Sequence, residues 1–242
     1  CEEDEDQSYP AASSNRHGGL FVIWMDKRVE DDIYAQYLNS AGEIQWDEDF
    51  PISNEPNRQL GPKAQPYGDS AVAVIWQDYR GIENSSSVFL QLLNPSGIPE
   101  YPNGQQLSQS PAAQTGLRLS DDGQHGVVAV WTDYRKGTGE GDIFYRRIDS
   151  SGNISGSDSG DPLCDFTGSQ EQPAVIADPA GGTFAVWQDN RNGFDYDIYM
   201  NRLSAHGLAI YDAWKQREGL PVIREDLNQL GPQVVPSGLG AA

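Results

Sequence analysis

Apolar residues along this chain gather into short runs that each end in tryptophan. The runs read GGLFVIW from Gly18, SAVAVIW from Ser70, GVVAVW from Gly126 and GTFAVW from Gly182. They are rich in Val and short, which suits a well-buried strand. A polar turn follows each run. Then come DIYAQYL from Asp32, SVFLQLL from Ser87, DIFYRRI from Asp142 and DIYMNRL from Asp197. In the first of these, Ile33, Ala35 and Tyr37 share one face and Tyr34 and Gln36 the other, the period of a strand. Fourteen residues before each tryptophan an earlier strand begins, at Pro10, Pro62, Leu117 and Pro173. A turn containing Gly42, Gly97, Gly152 or Gly207 leads to a fourth, less apolar strand, which runs toward Pro51, Gln106, Pro162 and Pro221.

The turn after each run spells Trp-x-Asp-x-Arg. Its residues are Trp24, Asp26 and Arg28; Trp76, Asp78 and Arg80; Trp131, Asp133 and Arg135; Trp187, Asp189 and Arg191. The tryptophans stand 52, 55 and 56 residues apart, so a four-stranded unit is repeated. Every connection is short enough for an antiparallel hairpin. One such sheet cannot bury both its faces, so the units must stack around an axis. The expectation is an all-β chain: a β-propeller of four-stranded antiparallel blades, four-bladed. The repeats cover about 10–61, 62–116, 117–172 and 173–231 of a single propeller over 9–242, after an acidic tether over 1–8. NQLGPQVVPSG from Asn228 echoes RQLGPKAQPYG from Arg58, which predicts a fifth copy of the first strand over 232–238. That strand would pair with the first unit and close the ring; the other reading is a larger propeller.

The string WQDNRNGFDYDIYMNRLSAHG from Trp187 resembles the repeat of secreted bacterial propellers with Trp-x-Asp-x-Arg…Asp-Ile-Tyr signatures. It is also similar to the TolB-type propeller repeat, in which an Asp-x-Arg-x-Gly turn precedes an Ile-Tyr strand. The resemblance runs from about Tyr9 to Leu239, although TolB-like repeats are shorter and carry an extra N-terminal domain with no counterpart here. It implies propeller blades, and interaction with proteins or glycans more often than catalysis.

Charge narrows the partners. With 36 Asp and Glu against 16 Lys and Arg, the net charge of −20 repels phosphate backbones and predicts no nucleic-acid partner. No run of 18 apolar residues is present. The two cysteines, Cys1 and Cys164, make no disulfide framework, and Cys164 is expected to be a buried thiol. Cys1, followed by EEDEDQS, reads as the lipid-bearing cysteine of a bacterial lipoprotein, or else as a cut end. The lipoprotein reading places the chain in the periplasm or at the cell surface, held to the membrane by lipid rather than by a span.

The recurring Asp and Arg occur once per blade, whereas an active site needs a unique, asymmetric set. They are therefore read as structural: the Asp accepts backbone N–H groups in its turn, and the Arg bridges to a carboxylate or to carbonyls of the adjacent blade. Acidic pairs at Asp31 and Asp32 and at Asp195 and Asp197 are the places where calcium could bind, although neither matches an EF-hand loop. His17, His125 and His206 have no zinc-ligand spacing. Tyr211 and Trp214 lie in an insertion outside the repeat and are candidates for an interface with a protein partner. Together these readings lead to a non-catalytic envelope lipoprotein that serves as a protein-binding scaffold, not an enzyme. The alternatives are a carbohydrate-binding or glycoside-hydrolysing propeller and a fragment of a longer surface adhesin.

Overall fold

The computed structural model describes residues 6–28, 30–81, 85–137, 139–207 and 218–235. These fold into four antiparallel four-stranded sheets, each built from strands consecutive in the chain, a four-bladed β-propeller. Blade 1 is β1 (Gln7–Ser14), β2 (Leu20–Asp26), β3 (Asp32–Leu38) and β4 (Phe50–Ser53). Blade 2 is β5 (Gln59–Tyr67), β6 (Ala71–Asp78), β7 (Ser87–Leu93) and β8 (Gln105–Gln106). Blade 3 is β9 (Gln114–Asp121), β10 (Val127–Asp133), β11 (Asp142–Ile148) and β12 (Asp161–Cys164). Blade 4 is β13 (Gln170–Ala177), β14 (Thr183–Asp189), β15 (Asp197–Leu203) and β16 (Leu220–Ile223). Successive first strands pack on one another, β1 on β5, β5 on β9 and β9 on β13, so these line the axis.

The core lies between blades, and the strand period builds it. In β6, Val72, Val74 and Trp76 pack on Phe21, Ile23 and Ile33 of blade 1. The intervening Ala73 and Ile75 join Leu117, Leu119 and Trp131 of blade 3. In β10 the same alternation sends Val128 and Val130 to Ala185, Trp187 and Tyr199 of blade 4. A strand buried on both faces needs an unbroken apolar run, which is what precedes each tryptophan. Trp76, Trp131 and Trp187 thus each face the preceding blade. Trp24 faces the side of blade 1 away from blade 2, where an apolar cavity of about 350 Å³ is lined by Pro10, Val22, Leu38 and Ile44.

The axial strands begin earlier than predicted, at Gln7, Gln59, Gln114 and Gln170 rather than at Pro10, Pro62, Leu117 and Pro173. Gln7 and Ser8, read from sequence as tether, are therefore strand. Each strand slips register after its second residue, between Ser8 and Ala11 or Leu60 and Lys63 for example, and the residue at the bulge has positive φ. Gly61 and Gly116 take this conformation readily, while Tyr9 and Gln172 hold it at φ 51°. The glutamine tethers its blade to the one before: Gln59 N donates to Asp31 O, Gln114 N to Ser86 O and Gln170 N to Gly141 O. Its Nε2 donates to two carbonyls of the crossover loop, Glu55 O and Asn57 O in the case of Gln59.

Gln229 makes the same bonds, from its N to Tyr196 O and from Nε2 to Glu225 O and Leu227 O, and Gly231 has φ 61° like Gly61. The start of the fifth copy is therefore placed as those of blades 2, 3 and 4 are. Through Val235 it forms no strand, and the rest of the expected closing strand lies outside the described residues. Residues 231–234 lie beside β9 and β13.

Candidate functional site

The Trp-x-Asp-x-Arg turns all sit at one end of the propeller, where each second strand passes to the third. Asp133 is fully buried. It accepts from Trp131 Nε1 at 3.2 Å, from Arg135 N and Nε at 2.9 Å each, and from Arg135 Nη2 at 2.6 Å. Asp26, Asp78 and Asp189 hold Trp24, Trp76 and Trp187 in the same way, with Arg28, Arg80 and Arg191. The guanidinium then lies over the aromatic ring of the third strand, 3.7 Å from the centre of Phe144 or Tyr199. Its remaining donor turns back to its own blade, from Arg80 to Asn103 O, Arg135 to Ser159 O and Arg191 to Glu218 O. Two of these arginines also bridge to a neighbouring blade, Arg80 to Ser53 Oγ at 3.0 Å and Arg191 to Cys164 Sγ at 3.7 Å.

Blade 1 departs from this plan. Gly104, Gly160 and Gly219 lie under Trp76, Trp131 and Trp187, with positive φ, and a Cβ on Gly160 would stand 2.5 Å from the Trp131 ring. Asp49 occupies the matching place in blade 1 and pairs with Arg28 at 3.1 Å. Burial alone would raise the Asp26 carboxyl, but the bonds from Arg28 and Trp24 outweigh it and hold it below the usual carboxylate range.

The first residue of the third strand faces the turn aspartate: Asp26 pairs with Asp32, Asp133 with Asp142 and Asp189 with Asp197, whereas Asp78 pairs with Ser87. Two carboxylates directly opposite repel. Lys136 relieves Asp142 at 2.8 Å, and Arg224 lies 4.0 Å from Asp197. Burial and the nearby Glu30 push Asp32 up to about 6. Asp195 accepts from Asn192 Nδ2 and Leu227 N. The calcium candidates therefore fall in two different blades and already serve the turns. No group of three or more His, Cys, Asp or Glu converges among the described residues.

A different cluster, around a glutamate that occurs in one blade alone, lies where blade 3 meets blade 4 at this turn end. Glu171 is the second residue of β13, half-buried, and its Oε1 accepts from Ser169 Oγ at 2.6 Å. Tyr134 donates to the same oxygen at 3.5 Å. Burial and the charge of Glu171 raise the Tyr134 hydroxyl, and the same two causes raise that of Tyr196. Among the described axial strands the only other carboxylate is Asp121, at the far end of β9 and ion-paired with Arg16 at 2.6 Å. Glu171 is thus fixed beside the Tyr134 phenol, with its charge felt at Tyr196, at the turn end of an axial strand, where a carboxyl can give or take a proton. Sequence reasoning did not find it, because Glu171 is one acid among 36.

The other predicted residues are dispersed. Cys164 is buried and free, and burial pushes its thiol up to about 12. His125 meets Asp69 at 3.0 Å on the surface. Cys1, Tyr211 and Trp214 lie outside the described residues.

No family model and no curated protein matches the chain. Solved structures do. An α-L-arabinanase from Penicillium chrysogenum, complexed with arabinobiose, superposes with a TM-score of 0.53 at 11% identity, covering 84% of this chain and 64% of that one. An endo-arabinase from Bacteroides thetaiotaomicron gives 0.51 at 13% identity, covering 90% of this chain and 81% of that one. A Bacteroides ovatus xyloglucan-locus GH43B protein gives 0.47 at 15% identity, and this chain spans 42% of its length. At these identities the likeness is one of fold. The expectation of a non-catalytic scaffold, and of a chain that is not an enzyme, is corrected on this finding, because the structures that share the fold are named as an α-L-arabinanase and an endo-arabinase.

Proposed function

We propose that this propeller is carbohydrate-active, taking up a glycan at the turn end of its axis and cleaving a glycosidic bond there. The observation that carries the reading is Glu171, held by Ser169 and flanked by Tyr134 and Tyr196 at the start of an axial strand. Tyrosine faces suit the apolar faces of sugar rings. A carboxyl fixed beside them can protonate the departing glycosidic oxygen or take a proton from water. Hydrolysis by two carboxylates needs a second one about 5–10 Å away, drawn from a neighbouring turn. Tyr134, 3.5 Å from Glu171, is the alternative nucleophile: Glu171 takes its proton as the bond to the sugar forms and passes it to the glycosidic oxygen as that bond breaks, and water then displaces the tyrosine from the sugar, its proton returning to Tyr134 through Glu171. The arabinanase fold supports the same reading.

The test is a panel of neutral and acidic oligosaccharides, arabinobiose included, read by calorimetry for binding and by release of reducing ends for turnover. Binding and turnover are expected, with Glu171→Gln losing about a hundredfold or more of the rate and keeping its binding. A folded protein that neither binds nor cleaves any member overturns the reading.

A further inference from the structure

Almost every described cation in this acidic chain sits on a carboxylate. Arg58 stacks on Tyr79 instead, 5.1 Å from its centre. Lys63 and Arg118 have neither. Their only hydrogen bonds are to backbone carbonyls of the residue before, from Lys63 Nζ to Pro62 O at 3.4 Å and from Arg118 Nη1 to Leu117 O at 2.9 Å. Both are half-buried, and burial lowers both, with the charge of Arg118 adding to the effect on Lys63.

Their positions match. Lys63 is four residues beyond Gln59 in β5, and Arg118 four beyond Gln114 in β9. They are therefore at the same height on two axial strands that pack together. The same place is Ala11 in blade 1, Ala174 in blade 4 and Gln233 in the fifth copy. Small residues thus flank the cations, and a cavity of about 490 Å³ opens beside Arg118, within the usual size of a ligand site. Its other walls are Gln172, Ala174, Val175 and residues 231–234, with no carboxylate among them. Two like charges held together partly out of water and without counter-charge cost stability. An anion between them would remove that cost.

We infer that Lys63 and Arg118 form an oxyanion-binding site in the axial channel. The planar guanidinium offers paired donors and the ammonium a point charge, a combination that suits a carboxylate or a phosphate. The net charge of −20 opposes anions at long range, but at physiological salt it is screened beyond about 8 Å, and inside the channel the two cations are the near charges. The oxyanion has two sources, the carboxylate of an acidic sugar or an inorganic oxyanion. The first rests on the carbohydrate reading and the second does not.

Calorimetry on the full chain separates them, with galacturonate, inorganic phosphate and neutral galactose as probes. At least one of the two anions is expected to bind more tightly than galactose, and to bind less tightly as salt rises. Lys63→Gln and Arg118→Gln should each weaken that anion about tenfold or more, and Arg58→Gln should not. Circular dichroism and urea unfolding confirm that each variant is folded. Galacturonate alone binding assigns a sugar carboxylate, and phosphate binding alone or equally well assigns a free oxyanion. If neither anion binds, or both variants bind as the parent does, the inference fails. Glycan turnover lost in Glu171→Gln would leave the carbohydrate reading standing even then, and oxyanion binding without any glycan binding would do the reverse.

Discussion

Replacing Asp133 by alanine tests whether the turn end is held by its buried aspartates. The carboxylate is fully buried and accepts five bonds, from Trp131 Nε1, from three nitrogens of Arg135 and, at 3.4 Å, from Ser110 Oγ. Removing one partner of a buried ion pair costs about 3–5 kcal/mol, because the other charge is left in a low dielectric. Arg135 keeps Ser159 O and the Phe144 ring, which offsets part of the loss. Trp131 has no exposure, so its N–H cannot recover a bond from water. The expected loss is about 3–4 kcal/mol, read from urea unfolding at pH 7 with the slope checked for a change in cooperativity. Asp26→Ala should cost less, about 2 kcal/mol, because Arg28 retains Asp49 at 3.1 Å and Trp24 is not fully buried. A loss under about 1 kcal/mol for Asp133→Ala, or an equal loss at the two sites, would refute the argument.

Three further outcomes are expected. Asp32→Ser, the residue blade 2 uses at this place, should stabilise the fold by about 2 kcal/mol at pH 7. A carboxyl raised to about 6 in the folded state is most favourable below its unfolded value near 4, and its contribution is lost as pH rises to 6. The gain should therefore vanish by about pH 4 in unfolding curves taken across that range, and a gain independent of pH would contradict it. Gly160→Ala should cost about 2–4 kcal/mol by urea unfolding, from positive φ and the clash with Trp131, whereas Gly152→Ala, with nothing closer than 3.9 Å, should cost only about 1. Peptide-mapped alkylation should leave Cys164 unmodified in the folded protein and modify it in urea, since its thiol is buried and titrates at about 12.

Much of the fold was legible because apolar period is a direct imprint of burial. The strand residues before Trp76 and Trp131 are apolar at every position because β6 and β10 serve two interfaces at once, and the repeat gave the blade. The starts of the axial strands were hidden. In three blades a proline reads as the first strand residue, whereas it follows a bulge whose special φ falls on Tyr9 and Gln172 as well as on glycines. The cross-strand Asp pairs were visible only as acidic turns, since register cannot be counted through turns of unequal length. The candidate site was least legible for a related reason. Repetition drew attention to residues that recur, and those build the scaffold. Glu171 has no counterpart in the other blades, the tyrosine at Tyr134 and the cation at Lys63 and Arg118 each occur in only two, and their meeting depends on how neighbouring blades lie against each other.

The glutamine that opens each repeat after the first also gives assembly a direction. Its amide is received by a carbonyl of the blade already made: Asp31 for Gln59, Ser86 for Gln114, Gly141 for Gln170 and Tyr196 for Gln229. A finished blade thus carries the acceptor that places the next one, in the order in which a ribosome delivers them. Growth from the N-terminus can proceed by templating, each sheet serving as the mould for its successor. A circularly permuted chain opened within a blade would present those acceptors out of turn, and should fold more slowly to the same end state.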